Sequence, residues 1–177
     1  MKKKIRAGTF ETNSSSMHSL IVENFSEKFS PHNIEASSLR KDKNGNLHVR
    51  LGEYGWGKKK LDTQQKKLNY LVTSIVCYKG IDNQEDLEDD YDFRKLSSEI
   101  CEHAEAKGII VNNFEGEFYI DHESNNGIDG EFVGNVFIEY KDNGTIEEEG
   151  FSVSAAEVVF NSEIKISISN DNVSKRW

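Results

Sequence analysis

The residues best suited to chemistry lie together at positions 10–20, FETNSSSMHSL, which we call the Ser/His segment. Within eleven residues it combines one carboxylate, one amide, one imidazole and five hydroxyl groups. Serine and asparagine side chains bond to nearby backbone, so such a segment favours a loop. Hydroxyls and backbone amides in a loop are suitable donors to a phosphate or a carboxylate. We therefore expect a loop that binds an anionic ligand through Glu11, Asn13, Ser14, Ser15, Ser16 and His18.

Three other interpretations of this segment stay open. A serine beside a histidine is one form of an activated nucleophile, but such sites are recognised by geometry rather than by spacing. A small enzyme acting on a nucleotide-type substrate would use His18 or His122 as the base and Glu11 or Asp121 to orient it. The purely structural interpretation is a hydrogen-bonded turn at the edge of a sheet.

A second polar cluster, DHES at positions 121–124, follows a predicted strand at 117–120; we call it the Asp/His segment. Residues at the end of a strand are held rigidly, so His122 joins the candidate ligand-binding residues. His122, His18 and a carboxylate would also suit a divalent cation. Neighbours on a regular strand point to opposite faces, however, and we assign no metal site. The alternative for this cluster is a polar turn, and the sequence does not identify a cofactor.

The third candidate is GEYGWGK at positions 52–58, the Gly/aromatic segment. Its glycines and lysine are typical of a phosphate loop, but Lys58 is followed by Lys59, so the G-x-x-x-x-G-K-[ST] pattern is absent. Tyr54 and Trp56 are included as ligand-binding candidates because aromatic rings stack on bases. The competing interpretation, which we favour for the segment as a whole, is a bulged strand end whose aromatic rings cover the core.

Length and charge limit the class of protein. The chain has 177 residues and is expected to form a single α+β domain, residues 1–177. Its net charge of −9 disfavours direct binding to nucleic acid and fits a neutral or basic partner. The acidic run at 82–92 is predicted to be a solvated loop, with a contact patch for a basic protein as the alternative.

Cysteine usage and hydropathy suggest a compartment. Cys77 and Cys101 have no CxxC partner, so we expect free thiols in a reducing compartment rather than a zinc cluster. The start of the chain lacks a secretory pattern, and no apolar run approaches 18 residues. We expect a cytosolic protein that does not enter the membrane.

The periodicity predicts a largely antiparallel sheet with two main helices packed on one face. The helices are predicted at 62–79 and 92–107, ended by Gly80 and Gly108, and His103 is predicted to be a partly buried structural histidine. Asn-Gly turns predict hairpins at 39–51 and around 141–144. The remaining predictions are a short helix at 154–160 and strands at 4–10, 18–23, 109–111, 117–120, 133–140 and 164–169.

Three stretches together, FETNSSSMHSL, GEYGWG followed by KLNYL, and YIDHES, resemble a family of uncharacterised bacteriophage and Firmicutes (prophage) proteins. The resemblance does not extend to the acidic residues around Asp86. It implies a mobile-element setting, in which small acidic proteins act on host machinery and on host defence systems, and a location in the host cytosol. It also implies that the three segments form one site. Two partners follow as expectations, an anionic small molecule or a host protein, and an inhibitor of a nucleic-acid-processing defence enzyme is the rival function.

Overall fold

The computed structural model describes residues 16–22, 29–55, 59–120, 134–142 and 145–170. Helices and strands are mixed along these ranges, as the sequence predicts for an α+β fold. The helices are α1 (Gln64–Lys79), α2 (Gln84–Asp89), α3 (Tyr91–Ala104) and α4 (Ala155–Phe160). The strands are β1 (Ser16–Val22), β2 (Leu47–Val49), β3 (Glu53–Tyr54), β4 (Lys59–Leu61), β5 (Ile109–Val111), β6 (Tyr119–Ile120), β7 (Gly134–Asp142), β8 (Thr145–Val153) and β9 (Ile164–Asn170).

The predicted largely antiparallel sheet is wrong. The described strands form one three-stranded antiparallel sheet, β1-β9-β4, one antiparallel pair, β7-β8, and two parallel pairs, β2-β5 and β3-β6. Parallel pairs need a long crossover, and the segment carrying α1, α2 and α3 connects both. Strand β9 contributes Ile164, Ile166 and Ile168 to the core, all without exposed surface.

Helix α1 forms where the sequence predicts it. The Thr63 hydroxyl accepts the Lys66 N–H at its start, and Gly80 ends it in the left-handed conformation at φ 66°. The predicted apolar stripe is buried, namely Leu68, Leu71, Val72, Ile75 and Val76. The helix contacts β2, β6 and α4 and so joins the parallel pairs to the rest of the core.

The acidic run at 82–92 is not a loop, because residues 84–89 form α2. Asn83 caps this helix by accepting the Asp86 N–H at 2.9 Å, and Glu85 and Asp86 complement the positive end of the helix dipole. Leu87 is fully buried and anchors the helix to the core. The acidic residues on its other faces are exposed, so the charge is carried on an ordered element.

Helix α3 also matches its prediction, except at its end. Its predicted stripe of Phe93, Leu96, Ile100 and Ala104 is buried. Gly108 does not end the helix, which stops at Ala104 with Glu105 in the left-handed conformation at φ 52°. The Lys41 ammonium donates to the carbonyls of Ala104 (2.9 Å) and Glu105 (3.1 Å), where a cation offsets the negative end of the helix dipole.

The Asn-Gly turn before β2 exists, but it does not make the predicted hairpin. Gly45 has φ 89°, as such turns require, yet the first arm forms only one bridge, from Lys41 to Leu47. The turn instead docks on the connection after α3, since the Lys107 N–H donates to the Gly45 carbonyl at 2.9 Å. Strand β2 therefore pairs with β5 in parallel.

Several predictions for the last third of the chain are confirmed. Helix α4 starts with a capping box in which the Ser154 hydroxyl accepts the Glu157 N–H and the Glu157 carboxylate accepts the Ser154 N–H. Strands β7 and β9 occupy their predicted positions to within two residues. The predicted strand at 4–10 and the turn residues 143 and 144 lie outside the described residues. Within the described ranges, no helix is long and apolar enough to cross a membrane.

Candidate functional site

The structure describes only part of the predicted site. Ser16 and His18 lie in β1, paired with Asn170 and Ile168 of β9. Tyr54 lies in β3. The other candidates are outside the described residues, namely Glu11, Asn13, Ser14, Ser15, Trp56, Asp121 and His122.

Strand pairing places the end of the Ser/His segment near the Gly/aromatic segment. His18 stands opposite Ile168 in β9, and Lys59 of β4 stands opposite the same Ile168 from the other side. Neighbouring strands lie about 4.8 Å apart, so the backbones of His18 and Lys59 are separated by about 10 Å. Strand β4 follows directly after the Gly/aromatic segment at 52–58.

The described strand that precedes the Asp/His segment pairs with the Gly/aromatic segment. Tyr54 of β3 pairs in parallel with Ile120 of β6, and the chain continues from Ile120 directly into Asp121 and His122. Ile120, the last described residue before the Asp/His segment, therefore lies beside Tyr54. We call the described residues at this meeting point, 16–18, 53–54, 59 and 119–120, the strand junction.

Lys59 connects the parts of the strand junction. Its ammonium group donates to the Glu53 carbonyl and lies 5.5 Å from the centre of the Tyr54 ring. A cation over an aromatic face is attracted by the ring quadrupole. Sequence reasoning did not select Lys59, although a run of lysines directly after a glycine-rich segment is a signal for an anion-binding region.

Tyr54 is a core residue rather than a surface for stacking a ligand. It is 8% exposed, and its ring packs edge-on against that of Tyr70 with centroids 5.0 Å apart. Burial raises the pKa of Tyr54 to about 12, so the phenol is neutral at physiological pH. The burial of Tyr54 fits the competing interpretation, an aromatic ring that covers the core, and leaves little ring surface for stacking on a ligand.

A polar triad that sequence reasoning missed lies beside β2. His48 Nδ1 is 2.9 Å from Asn112 Oδ1, and His48 Nε2 is 3.0 Å from Asp42 Oδ2. The hydrogen bonds from Asn112 and Asp42 raise the pKa of His48. The backbone N–H of Asn46, followed by His48, lowers the pKa of Asp42 to about 2. Both ring nitrogens lie within hydrogen-bond distance of an oxygen, so the imidazole is engaged on both sides rather than free to take up a proton from a substrate.

His103 has the structural role predicted for it. Its ring is half-buried against Phe160, with centroids 4.2 Å apart, and Nε2 donates to the Glu35 carbonyl at 2.7 Å. It thereby fixes the segment before β2 onto α3 and α4.

The two cysteines are free thiols, as predicted. Burial raises the pKa of both Cys77 and Cys101, which keeps them protonated and weakly nucleophilic. Among the described residues, no three His, Cys, Asp or Glu side chains are grouped as metal ligands would be.

No family model, curated protein or solved structure matches the chain. The resemblance to phage proteins therefore stays a prediction.

Proposed function

We propose that this chain is a small acidic protein of phage type that binds an anionic, phosphate-bearing ligand or a host protein and so modulates host machinery or defence from the host cytosol. The observation that supports the proposal is the strand junction. Strands β1, β9 and β4 form one sheet and β3 and β6 form a separate pair, and Lys59 of β4 links the two by donating to the Glu53 carbonyl of β3. Convergence of distant polar segments at strand ends is typical of a binding site.

The proposed chemistry follows from the residue types. Serine hydroxyls and loop amides of the Ser/His segment donate to the anion, and Glu11 orients His18 as a further donor. Lys59 supplies positive charge from β4, and Trp56 stacks on an attached ring. Because the chain carries a net charge of −9, a local cation is needed to attract an anion to this surface.

The test is calorimetric titration of the full chain with inorganic phosphate and with nucleoside mono- and triphosphates. The double change Ser15→Ala with His18→Ala should abolish binding, and Lys59→Gln should weaken it about tenfold, the loss of one charge-assisted contact. Lys95→Gln is the matched control, because Lys95 is an exposed lysine of α3. Loss of binding only together with loss of the folded circular dichroism spectrum would contradict the proposal.

A second function, inhibition of a nucleic-acid-processing defence enzyme, is favoured by α2. Four carboxylates on this short helix are exposed, Glu85, Asp86, Glu88 and Asp89, while Leu87 fixes the helix to the core. An ordered acidic surface complements a basic groove in charge. Binding such a surface costs less conformational entropy than binding a flexible loop.

This second function predicts a complex that salt weakens. Glu85→Gln with Asp89→Asn should slow association with the enzyme, whereas Glu115→Gln with Glu117→Gln, an exposed pair of equal charge elsewhere, should not. Equal effects of the two pairs would remove the argument for α2. Direct binding to nucleic acid is not part of either function.

A further inference from the structure

A cavity of about 450 Å³ lies between α3 and the beginning of β5, away from the strand junction. Arg94, Ser98 and Cys101 line it from α3, and Lys107 and Ile109 line it from the opposite side. The volume lies within the range of small-molecule sites, about 300 to 1,000 Å³. The cavity therefore has room for a compact organic ligand.

Two cations border this cavity without a partner among the residues that the structure describes. The side chains of Arg94 and Lys107 make no hydrogen bond or ion pair with any other residue that the structure describes. The aliphatic part of the Lys107 side chain packs against Gly45. A Cβ added at Gly45 would lie 3.4 Å from the nearest carbons of this side chain. Glu88 also lines the cavity, but one of its oxygens accepts from the Gln84 amide at 2.7 Å. The arrangement favours a negatively charged group between Arg94 and Lys107.

The lining of the cavity combines apolar and polar groups in similar amounts. Phe93 and Ile109 are 3% and 2% exposed and belong to the core. Ser97 Oγ lies 3.7 Å from Cys101 Sγ, and burial raises the pKa of this thiol, so it forms a neutral wall. Ser98 adds a hydroxyl one residue further along α3. A ligand site combines apolar surface with convergent polar groups, and this cavity offers both, with a larger polar share than is usual.

We propose that this cavity binds a small amphiphilic anion, a single carboxylate or phosphate group carried on an apolar or aromatic body. The charged group lies between Arg94 and Lys107, and the body enters toward Phe93 and Ile109. The site is independent of the proposed function at the strand junction, with which it shares no residue.

The test is a titration of the isotope-labelled full chain followed by amide NMR, with phenyl phosphate and benzoate as probes. At least one of the two should cause saturable shifts at Ser98, Gly108 and Ile110 by about 10 mM, the range expected for a fragment of this size. The probe that binds more tightly distinguishes a phosphate ligand from a carboxylate ligand. Inorganic phosphate carries the charge without an aromatic body, and benzylamine carries the aromatic body with the opposite charge. Both should bind at least tenfold more weakly than the better of the two aromatic anions.

The decisive variant is Arg94→Ala with Lys107→Ala, which should weaken binding of the better probe at least tenfold. Lys43→Ala with Lys95→Ala removes the same charge from exposed positions outside the cavity and should leave binding unchanged. Arg94→Lys should retain most of the affinity, which separates loss of charge from loss of fold.

Absence of saturation with both aromatic anions, equal binding of inorganic phosphate, or equal loss in the two double variants would overturn the proposal. The Ser15→Ala with His18→Ala variant should bind the probe normally, so failure of one proposed site does not imply failure of the other.

Discussion

The ammonium nitrogen of Lys67 lies 2.8 Å from the carbonyl oxygen of Asn161 at the end of α4. It also donates to the Ile164 carbonyl at 3.0 Å, and the residue is only 1% exposed. A neutral amine has two N–H groups, which matches these two carbonyls. Burial lowers the pKa of Lys67 to about 8. This lysine therefore ties α1 to the junction between α4 and β9 and can do so without its charge.

Lys67 makes stability rise with pH. The unfolded chain holds the lysine proton up to about pH 10.5, while the folded chain releases it near pH 8. The unfolded state thus binds more protons between these values, and the free energy of unfolding should increase across this interval. Relative to Lys67→Met, the wild type should gain about 2 kcal/mol between pH 7.5 and 9.5 in urea unfolding. The comparison with the variant cancels the titration of other groups. Lys95→Met should give a pH-independent difference, and a pH-independent difference for Lys67→Met would contradict the assignment.

The Gln84 side chain forms hydrogen bonds to the backbone of β5 in the way that a neighbouring strand would. Its side-chain nitrogen donates to the Ile109 carbonyl at 3.0 Å, and its oxygen accepts the Val111 N–H at 3.0 Å. These backbone groups lie on the edge of β5 that faces away from β2. A buried or half-buried backbone group without a partner costs about 1 to 3 kcal/mol. Gln84→Ala should therefore destabilise the protein by about that amount.

Hydrogen exchange distinguishes this role from a general effect of the mutation. In Gln84→Ala the Val111 amide should exchange faster, while the Asn112 amide, which donates to the Val49 carbonyl at 3.1 Å, should keep its protection. Glu85→Ala, at the next and exposed position of α2, should change neither amide. Equal acceleration at both amides would mean that Gln84 stabilises the whole fold rather than the edge of β5.

The long helices were predictable because their packing follows a sequence period. The apolar spacing in α1 and α3 repeats over three or more turns, and Thr63 and Gly80 mark the ends of α1. Helix α2 has one apolar anchor, Leu87, too few for any period to appear. The other sequence signal for α2 is a capping residue, Asn83, followed by acidic residues. A stretch of this composition is easily interpreted as a solvated acidic loop instead of a helix.

The pairing of strands was not predictable from local patterns. An Asn-Gly turn specifies a reversal of the chain but not the strand that β2 finally joins. That choice depends on the Lys107 N–H and the Lys41 ammonium, which bond across some 60 residues of sequence. The candidate site shows the same limit. Residue types selected Ser16 and His18, but only the register of β9 brings Lys59 to within two strands of them.

The contact between Gly52 and Tyr54 predicts a steric effect. A Cβ added at Gly52 would lie 3.1 Å from two ring carbons and the phenolic oxygen of Tyr54, closer than packed atoms normally approach. Tyr54 is buried against Tyr70 and has little freedom to move. Gly52→Ala should lower the free energy of unfolding by about 1 to 3 kcal/mol, the usual cost of overpacking.

Gly108→Ala is the matched control for this effect, because the nearest atom to its added Cβ is the Asn46 amide oxygen at 3.6 Å, an ordinary contact. It should be close to neutral. In a Tyr54→Ala background, Gly52→Ala should lose most of its cost, which gives a coupling energy in a double-mutant cycle. Additive effects would show that the Gly52 change acts through the backbone and not through the ring.

His48 should titrate above its ordinary value, because the Asn112 amide oxygen and the Asp42 carboxylate both accept hydrogen bonds from the imidazolium. The Asn112 contact is the largest cause, so Asn112→Ala should lower the pKa of His48 toward about 6.5, and Asn112→Asp should raise it further. A folded-state pKa above the unfolded value stabilises the protein fully below about pH 6.5, and this contribution is lost as the pH rises through the folded-state pKa. Asn112→Ala should therefore reduce the thermal midpoint more at pH 5 than at pH 8.

Ring proton shifts of His48 measured by NMR give the pKa directly, with Asn33→Ala at an exposed asparagine as the control. If the pKa of His48 does not move in opposite directions in the two Asn112 variants, the amide oxygen of Asn112 is not what raises it.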